Sequence, residues 1–170
     1  MSIDMRDVLI SQIFSKDSSY PDLNVRDIEL FISFMRTTSD ISKELHLRFA
    51  DFNLSMGKLL VLLILNQKKG DSLTPSEIAD FSKVTRGTIT GLIEGLEKDE
   101  FITRSMSNSD RRMIAVNITE HGQAALETIL PFYFGLLSQI LEDFTSEDYS
   151  DMKKLGTKLR MGLDRIKANR

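Results

Sequence analysis

The stretch TPSEIADFSKVTRGTITGLIEGLEKDEFITRSMSNSDRRMIAVNITEHG, residues 74–122, decides the fold. Thr74-Pro75-Ser76-Glu77 is a helix start: Thr74 can cap, Pro75 suits the first helical position, and Glu77 completes a capping box. That helix is short and is expected to end near Phe81 or Ser82. Thr85 caps the next helix, which begins Thr85-Arg86-Gly87-Thr88. Ile89, Leu92, Ile93 and Leu96 recur on it at helical spacing and form a buried stripe. Arg86, Gly87, Thr90, Gly91 and Glu94 lie on the opposite face, free to meet a partner. Residues 101–104 and 113–118 read as two short strands, with Ile114, Val116 and Ile118 alternating against Met113, Ala115 and Asn117. A polar, Arg-bearing tip, residues 105–112, joins them. Thr119 then caps a further helix, with Gly122 in its first turn. Helix, tight turn, helix, hairpin is the order of a helix-turn-helix followed by a β-wing, which presents one helix to a DNA major groove.

On the N-terminal side, Ile28, Phe31, Ile32, Met35, Ile41, Leu45 and Phe49 predict one long helix from residue 25 to about 51. Ser55 caps a second helix, from Met56 to about Lys68, which Gly70 ends. Leu59, Leu60, Leu62, Leu63, Ile64 and Leu65 make it apolar nearly all round, so it is expected to be buried. Residues 2–14 read as a short amphipathic helix and 16–24 as a polar loop broken by Pro21. This segment is either a tail or an arm that packs on a partner subunit. On the C-terminal side, Leu126, Ile129, Leu130, Phe134, Leu137, Ile140 and Phe144 mark a long helix bent at Pro131. Thr145-Ser146-Glu147-Asp148 starts a last helix with Met152, Leu155, Leu159, Leu163 and Ile166 at helical spacing. These two helices are too apolar, and too far from the wing, to serve its core, so an intermolecular helical interface is expected. The predicted fold class is mainly α with a small β-wing. It divides into an N-terminal extension (1–24), a dimerisation and linking helix (25–53), a winged helix-turn-helix domain (54–118) and C-terminal dimerisation helices (119–170).

Composition narrows the function. A 41% hydrophobic and 28% charged content over 170 residues fits a globular chain rather than a disordered one. No apolar run approaches the ~20 residues of a membrane span, and no secretory signal is expected. With no cysteine and two histidines, His46 and His121, thiol redox chemistry is excluded and no metal or other cofactor is expected. No phosphate-cradling Gly-rich loop is present, and an enzyme is not expected. The net charge is −3, but DNA attraction depends on where cations sit. The recognition helix start and the wing are locally positive, while acids gather at that helix's far end.

Asp110-Arg111-Arg112-Met113-Ile114-Ala115-Val116-Asn117-Ile118-Thr119-Glu120-His121-Gly122 resembles the wing-to-helix signature of MarR-type regulators: Asp, any residue, Arg, a strand, then Leu-Thr-x-x-Gly, with Ile118 in the Leu place. Thr85-Arg86-Gly87-Thr88-Ile89-Thr90 with Leu96-Glu97-Lys98 looks like that family's recognition helix. The resemblance spans about residues 25–166. It implies a cytoplasmic homodimer paired by its terminal helices, with two winged lobes on a pseudo-palindromic operator in double-stranded DNA. It also implies a small-molecule effector between dimer helices and DNA lobes, for which Phe31, Met35, Met56 and Phe132 are candidate lining residues. The sequence departs from the family at Lys83, where Gly is frequent, at Ser82, where an apolar residue is usual, and at Gly91, where Arg is frequent.

The candidate DNA-contacting residues are Lys83, Thr85, Arg86, Thr88 and Thr90 around the recognition helix start, and Arg104, Ser107, Asn108 and Arg111 on the wing. A helix N-terminus offers N–H groups and a positive dipole end to phosphate. Arg86 can reach guanine or phosphate, and the threonines can donate to phosphate or touch a thymine methyl. Thr85 and Thr88 can equally serve only as caps. Wing arginines suit a narrow minor groove. Asp110 and Arg112 are expected to shape the hairpin by a salt bridge. Gly87, Gly91 and Gly95, spaced by four, each cost about 0.5–1 kcal/mol of helix stability relative to Ala; either the backbone is closely approached there, by DNA or by a neighbouring helix, or the fold simply tolerates a weak helix. The alternative function is a winged-helix module that binds or antagonises another protein and never touches DNA; the acidic pI of about 5.5, the Gly-rich face of the helix and Gly91 in place of Arg leave it open.

Overall fold

Helix boundaries fall where capping side chains stand. The computed structural model describes residues 24–68, 72–106 and 114–169, and within them six helices and one two-stranded antiparallel sheet. Helix α1 (Val25–Ala50) starts at Asn24, and α2 (Met56–Gln67) at Ser55. Thr74 and Glu77 form the expected capping box at α3 (Pro75–Ser82). Thr85 caps α4 (Arg86–Lys98). After strands β1 (Ile102–Met106) and β2 (Ile114–Ile118) come α5 (Glu120–Ile140), capped by Thr119, and α6 (Ser146–Ala168), where Thr145 and Asp148 form a second capping box. Each cap satisfies one of the N–H groups a helix start leaves orphaned, and is worth about 1 kcal/mol. Helix α5 runs continuously through Pro131. Gly70, expected to end α2, lies outside the described residues, as do positions 1–23.

Among the described residues, three that are not glycine adopt left-handed backbone: Asn53, Lys83 and Glu100. Each ends a helix. At Asn53 the Leu54 N–H returns to the Phe49 carbonyl, and at Glu100 the Phe101 N–H returns to the Leu96 carbonyl. Both are Schellman turns, and each drives the following apolar residue, Leu54 or Phe101, into the core.

The α4 stripe fills the centre of that core. Ile89, Ile93 and Leu96 are buried with Leu59, Val61, Leu62 and Leu65 of α2, Ile78 and Ala79 of α3, Ile102 and Val116 of the hairpin, Phe49 of α1, and Leu126 and Ile129 of α5. Leu92 is only partly buried. Leu60 departs from the all-round burial expected of α2 and is exposed.

The sheet register runs from Ile102 opposite Ile118 to Met106 opposite Ile114. On the other edge of β2, Leu73 pairs with Val116 through two backbone hydrogen bonds. The simple alternation expected of β2 fails: Ala115 and Val116 are both fully buried, while Ile114 is 52% exposed. The middle of the strand is covered on both faces, and Ile114 lies beyond the core on the wing stem beside exposed Met106. Strand β1 extends two residues past Arg104. There the Asn117 amide donates to Ser105 Oγ at 3.1 Å and accepts from Ser72 Oγ at 2.8 Å, tying the polar edge together.

The terminal helices bury little. No residue of α6 is buried, and Met152, Leu155, Leu159, Leu163 and Ile166 are all exposed, as are Leu30, Phe31, Phe34 and Met35 on α1.

One glycine is fixed by sterics. A Cβ on Gly122 would overlap the Phe101 carbonyl oxygen and crowd Ile118 Cγ1. Gly122→Ala is therefore expected to destabilise the fold by about 2–3 kcal/mol, because backbone must shift to admit the methyl group. Urea unfolding of the variant checks this.

Candidate nucleic-acid interface

The turn between α3 and α4 is built without glycine. Ser82 Oγ donates to the Ala79 carbonyl at 3.2 Å, ending α3, and Lys83 takes φ 57° and ψ 29° to reverse the chain. A Cβ at such dihedrals costs on the order of 1–2 kcal/mol. In exchange, a lysine stands exposed next to the start of α4.

At that start, Thr85 Oγ1 accepts the Thr88 N–H at 3.3 Å and lies 2.9 Å from Thr88 Oγ1. The two threonines therefore hold each other, and both hydroxyls stay exposed. Thr90 Oγ1 donates to the Arg86 carbonyl at 3.0 Å, which turns its methyl and oxygen lone pairs outward. The first turn of α4 has no acid. The Arg86 and Gly87 N–H groups precede any carbonyl that could accept them within the helix. Arg86 is exposed, and no carboxylate pairs with it or with Lys83 among the described residues. Cations, N–H groups and a helix dipole end thus converge on one surface suited to a phosphate backbone.

The three glycines do not share one purpose. A Cβ on Gly87 or Gly91 would meet open space. At Gly95 it would lie 2.9 Å from Lys58 Cε. Eight residues carry the helix face round by about 80°, so Gly95 turns toward α2 while Gly87 and Gly91 face out. Only the outer two leave the backbone open to a duplex.

The wing stem differs from expectation at Arg104. Its Nε lies 3.0 Å from Glu97 Oε2, so it braces β1 against the last turn of α4 instead of standing free for DNA. Neither partner announces this in the sequence, because the pair forms between two elements and follows no local spacing. Ser107, Asn108, Asp110, Arg111 and Arg112 lie outside the described residues.

The expected effector residues are dispersed. A cavity of about 340 Å³ opens between α1 and the start of α2, lined by Thr38, Ser42, His46, Ser55, Met56 and Gly57 among others. Met56 belongs to it. Phe31 and Met35 do not: they sit one to two turns earlier on the exposed face of α1. Phe132 packs tilted against Phe52 instead, with ring centroids 5.2 Å apart. The polar lining from Thr38, Ser42 and His46 was missed because those residues fall between the apolar positions that periodicity singles out. Among the described residues no helix is long and apolar enough to cross a membrane, and no cluster of potential metal ligands occurs.

Residues 54–114 match the model of the MarR family. Over 130 residues, covering 76% of this chain and 78% of the relative, the sequence is 35% identical to the HTH-type transcriptional repressor YetL of Bacillus subtilis (strain 168). The chain belongs to the MarR family. It is also 25% identical to the HTH-type transcriptional regulator PapX of Escherichia coli, across 92% of this chain and 93% of that one. In fold it is similar to MepR of S. aureus in a DNA complex (TM-score 0.66, 20% identity, 78% of this chain and 94% of that one). It is similar also to AbsC, a MarR family regulator of Streptomyces coelicolor (TM-score 0.72, 19% identity, 84% and 97%). The chain is a DNA-binding transcriptional regulator, and its hairpin is the wing of the family's winged-helix fold.

The turn geometry yields a direct test. Lys83→Gly is expected to stabilise the isolated protein by about 0.5–1 kcal/mol, the relief of left-handed strain exceeding the added freedom of the unfolded chain. Thermal or urea unfolding reads the sign.

Proposed function

We propose that this chain is a cytoplasmic transcriptional repressor that binds a pseudo-palindromic operator as a homodimer and releases it in response to a small molecule. The observation that carries the reading is the start of α4. There an exposed Arg86 with no carboxylate partner among the described residues, three exposed threonines and open helix N–H groups share one surface in a winged-helix fold. In this reading Arg86 reaches a guanine or phosphate. Lys83, Thr85, Thr88 and Thr90 hold the flanking phosphates. Gly87 and Gly91 let the helix backbone ride close to the major-groove wall. Ser107, Asn108 and Arg111 enter the adjacent minor groove from a tip that the Asp110–Arg112 pair shapes. The exposed apolar faces of α1 and α6 supply the dimer contact. The cavity at His46 and Met56, between the pairing helix and the DNA lobe, takes the effector. The chain acts by binding and needs no cofactor.

Arg86→Ala and Arg111→Ala are each expected to weaken operator binding roughly 5- to 100-fold, or to lower the slope of log affinity against log salt by about one where the contact is to phosphate. Sedimentation should show the dimer intact in both. Full operator affinity in both variants would overturn the site assignment.

A further inference from the structure

The Lys58 side chain ties three elements together. Its Nζ lies 2.6 Å from Asp99 Oδ2 and 3.1 Å from the Asn53 carbonyl oxygen. Asn53 is the left-handed residue of the elbow between α1 and α2, and Asp99 caps the C-terminus of α4. The lysine stem crosses α4 at Gly95, where any Cβ would press on it. At its neighbour Gly57 a Cβ would lie 3.0 Å from Leu92 Cδ2 of α4, so Leu92 would have to give by a few tenths of an ångström. The first turn of α2 thus packs closely on α4 and is tied to it by one ion pair. The side chains of that pair are only 20% and 26% exposed, so salt screens it less than the exposed pairs within α1 and α6. Among the described residues it is the one ion pair that joins α2 to α4.

The position of this strut matters. On one side of the elbow, α1 carries the exposed apolar residues Leu30, Phe31, Phe34 and Met35; on the other, α4 carries Arg86. Apolar burial holds α4 in the core but is non-directional and tolerates small rotations. A charged hydrogen bond to Asp99, shared with the elbow carbonyl, fixes direction. We propose that Lys58 is a positioning residue that sets the angle of the recognition helix against the α1–α2 elbow, and through it the half-site separation the dimer accepts. The proposal rests on the dimeric DNA-binding reading above. Lys58 itself touches no DNA.

The test uses the full chain and an operator selected by it, with one or two base pairs added to or removed from between the half-sites. Lys58→Met keeps the stem and removes the charge; Asp99→Asn keeps the shape and removes the other charge. Each is expected to weaken binding at the native spacing about three- to tenfold and to shrink the penalty for altered spacing by a similar factor, with the double variant no worse than either single one. The chain has no cysteine, so Glu94→Cys on the exposed face of α4 gives one spin label per subunit. The label-to-label distance distribution of the free dimer should broaden in both variants. A spacing penalty as steep as that of the wild type, or an unchanged distance distribution, overturns the role of Lys58. A wild-type chain that shows no spacing preference, or no intersubunit distance, overturns the dimeric DNA reading instead.

Discussion

The burial of Ile89, Ile93 and Leu96 against α2 is the contact on which the rest of the molecule depends. Each such aliphatic side chain, fully removed from water, contributes about 1.5–3 kcal/mol. No cap or exposed ion pair in the chain has that weight. The stripe fixes which side of α4 faces inward, and by the 3.6-residue period it thereby fixes that Arg86, Gly87, Thr90 and Gly91 face out. The face proposed to meet DNA is what remains of α4 once its core face has been satisfied.

Polar and backbone constraints then divide the finer work. The Schellman turns at Asn53 and Glu100 set where α1 and α4 stop, and each returns an apolar residue to the core. The left-handed Lys83 reverses the chain between α3 and α4 and leaves an exposed cation beside the start of α4, so a strained backbone and a charge come from one residue. Arg104 with Glu97 anchors the wing to the last turn of α4, and Lys58 with Asp99 anchors α2 to the same end. Of the acids at the far end of α4, Glu97 and Asp99 are paired, whereas Lys83 and Arg86 have no carboxylate partner among the described residues.

What the sequence showed plainly was local. Thr74-Pro75-Ser76-Glu77, Thr85, Thr119 and Thr145 mark helix starts because a capping oxygen and the N–H that donates to it lie within three residues, and the α4 stripe repeats every three or four. Contacts between elements were not legible. Nothing near Arg104 names Glu97 as its partner, and nothing near Gly95 shows that Lys58 lies across it. The exposure of Ile114 beside buried Ala115 depends on where the core ends, which no alternation pattern reports. Phe31 and Met35 read as pocket or core because the sequence of one chain does not distinguish a face buried inside it from one that a second copy would cover. The cavity needed the α1–α2 elbow to bring His46 and Met56 together.

The central claim is that two such lobes, joined through α1 and the C-terminal helices, read DNA symmetrically. Selection of genomic fragments by the purified full chain, followed by footprinting of those retained, tests it most directly. The account predicts that the retained fragments share an inverted repeat with half-sites about one helical turn apart, protected on one face of the duplex. Retained fragments that share no symmetric sequence, or no enrichment at all, would contradict it.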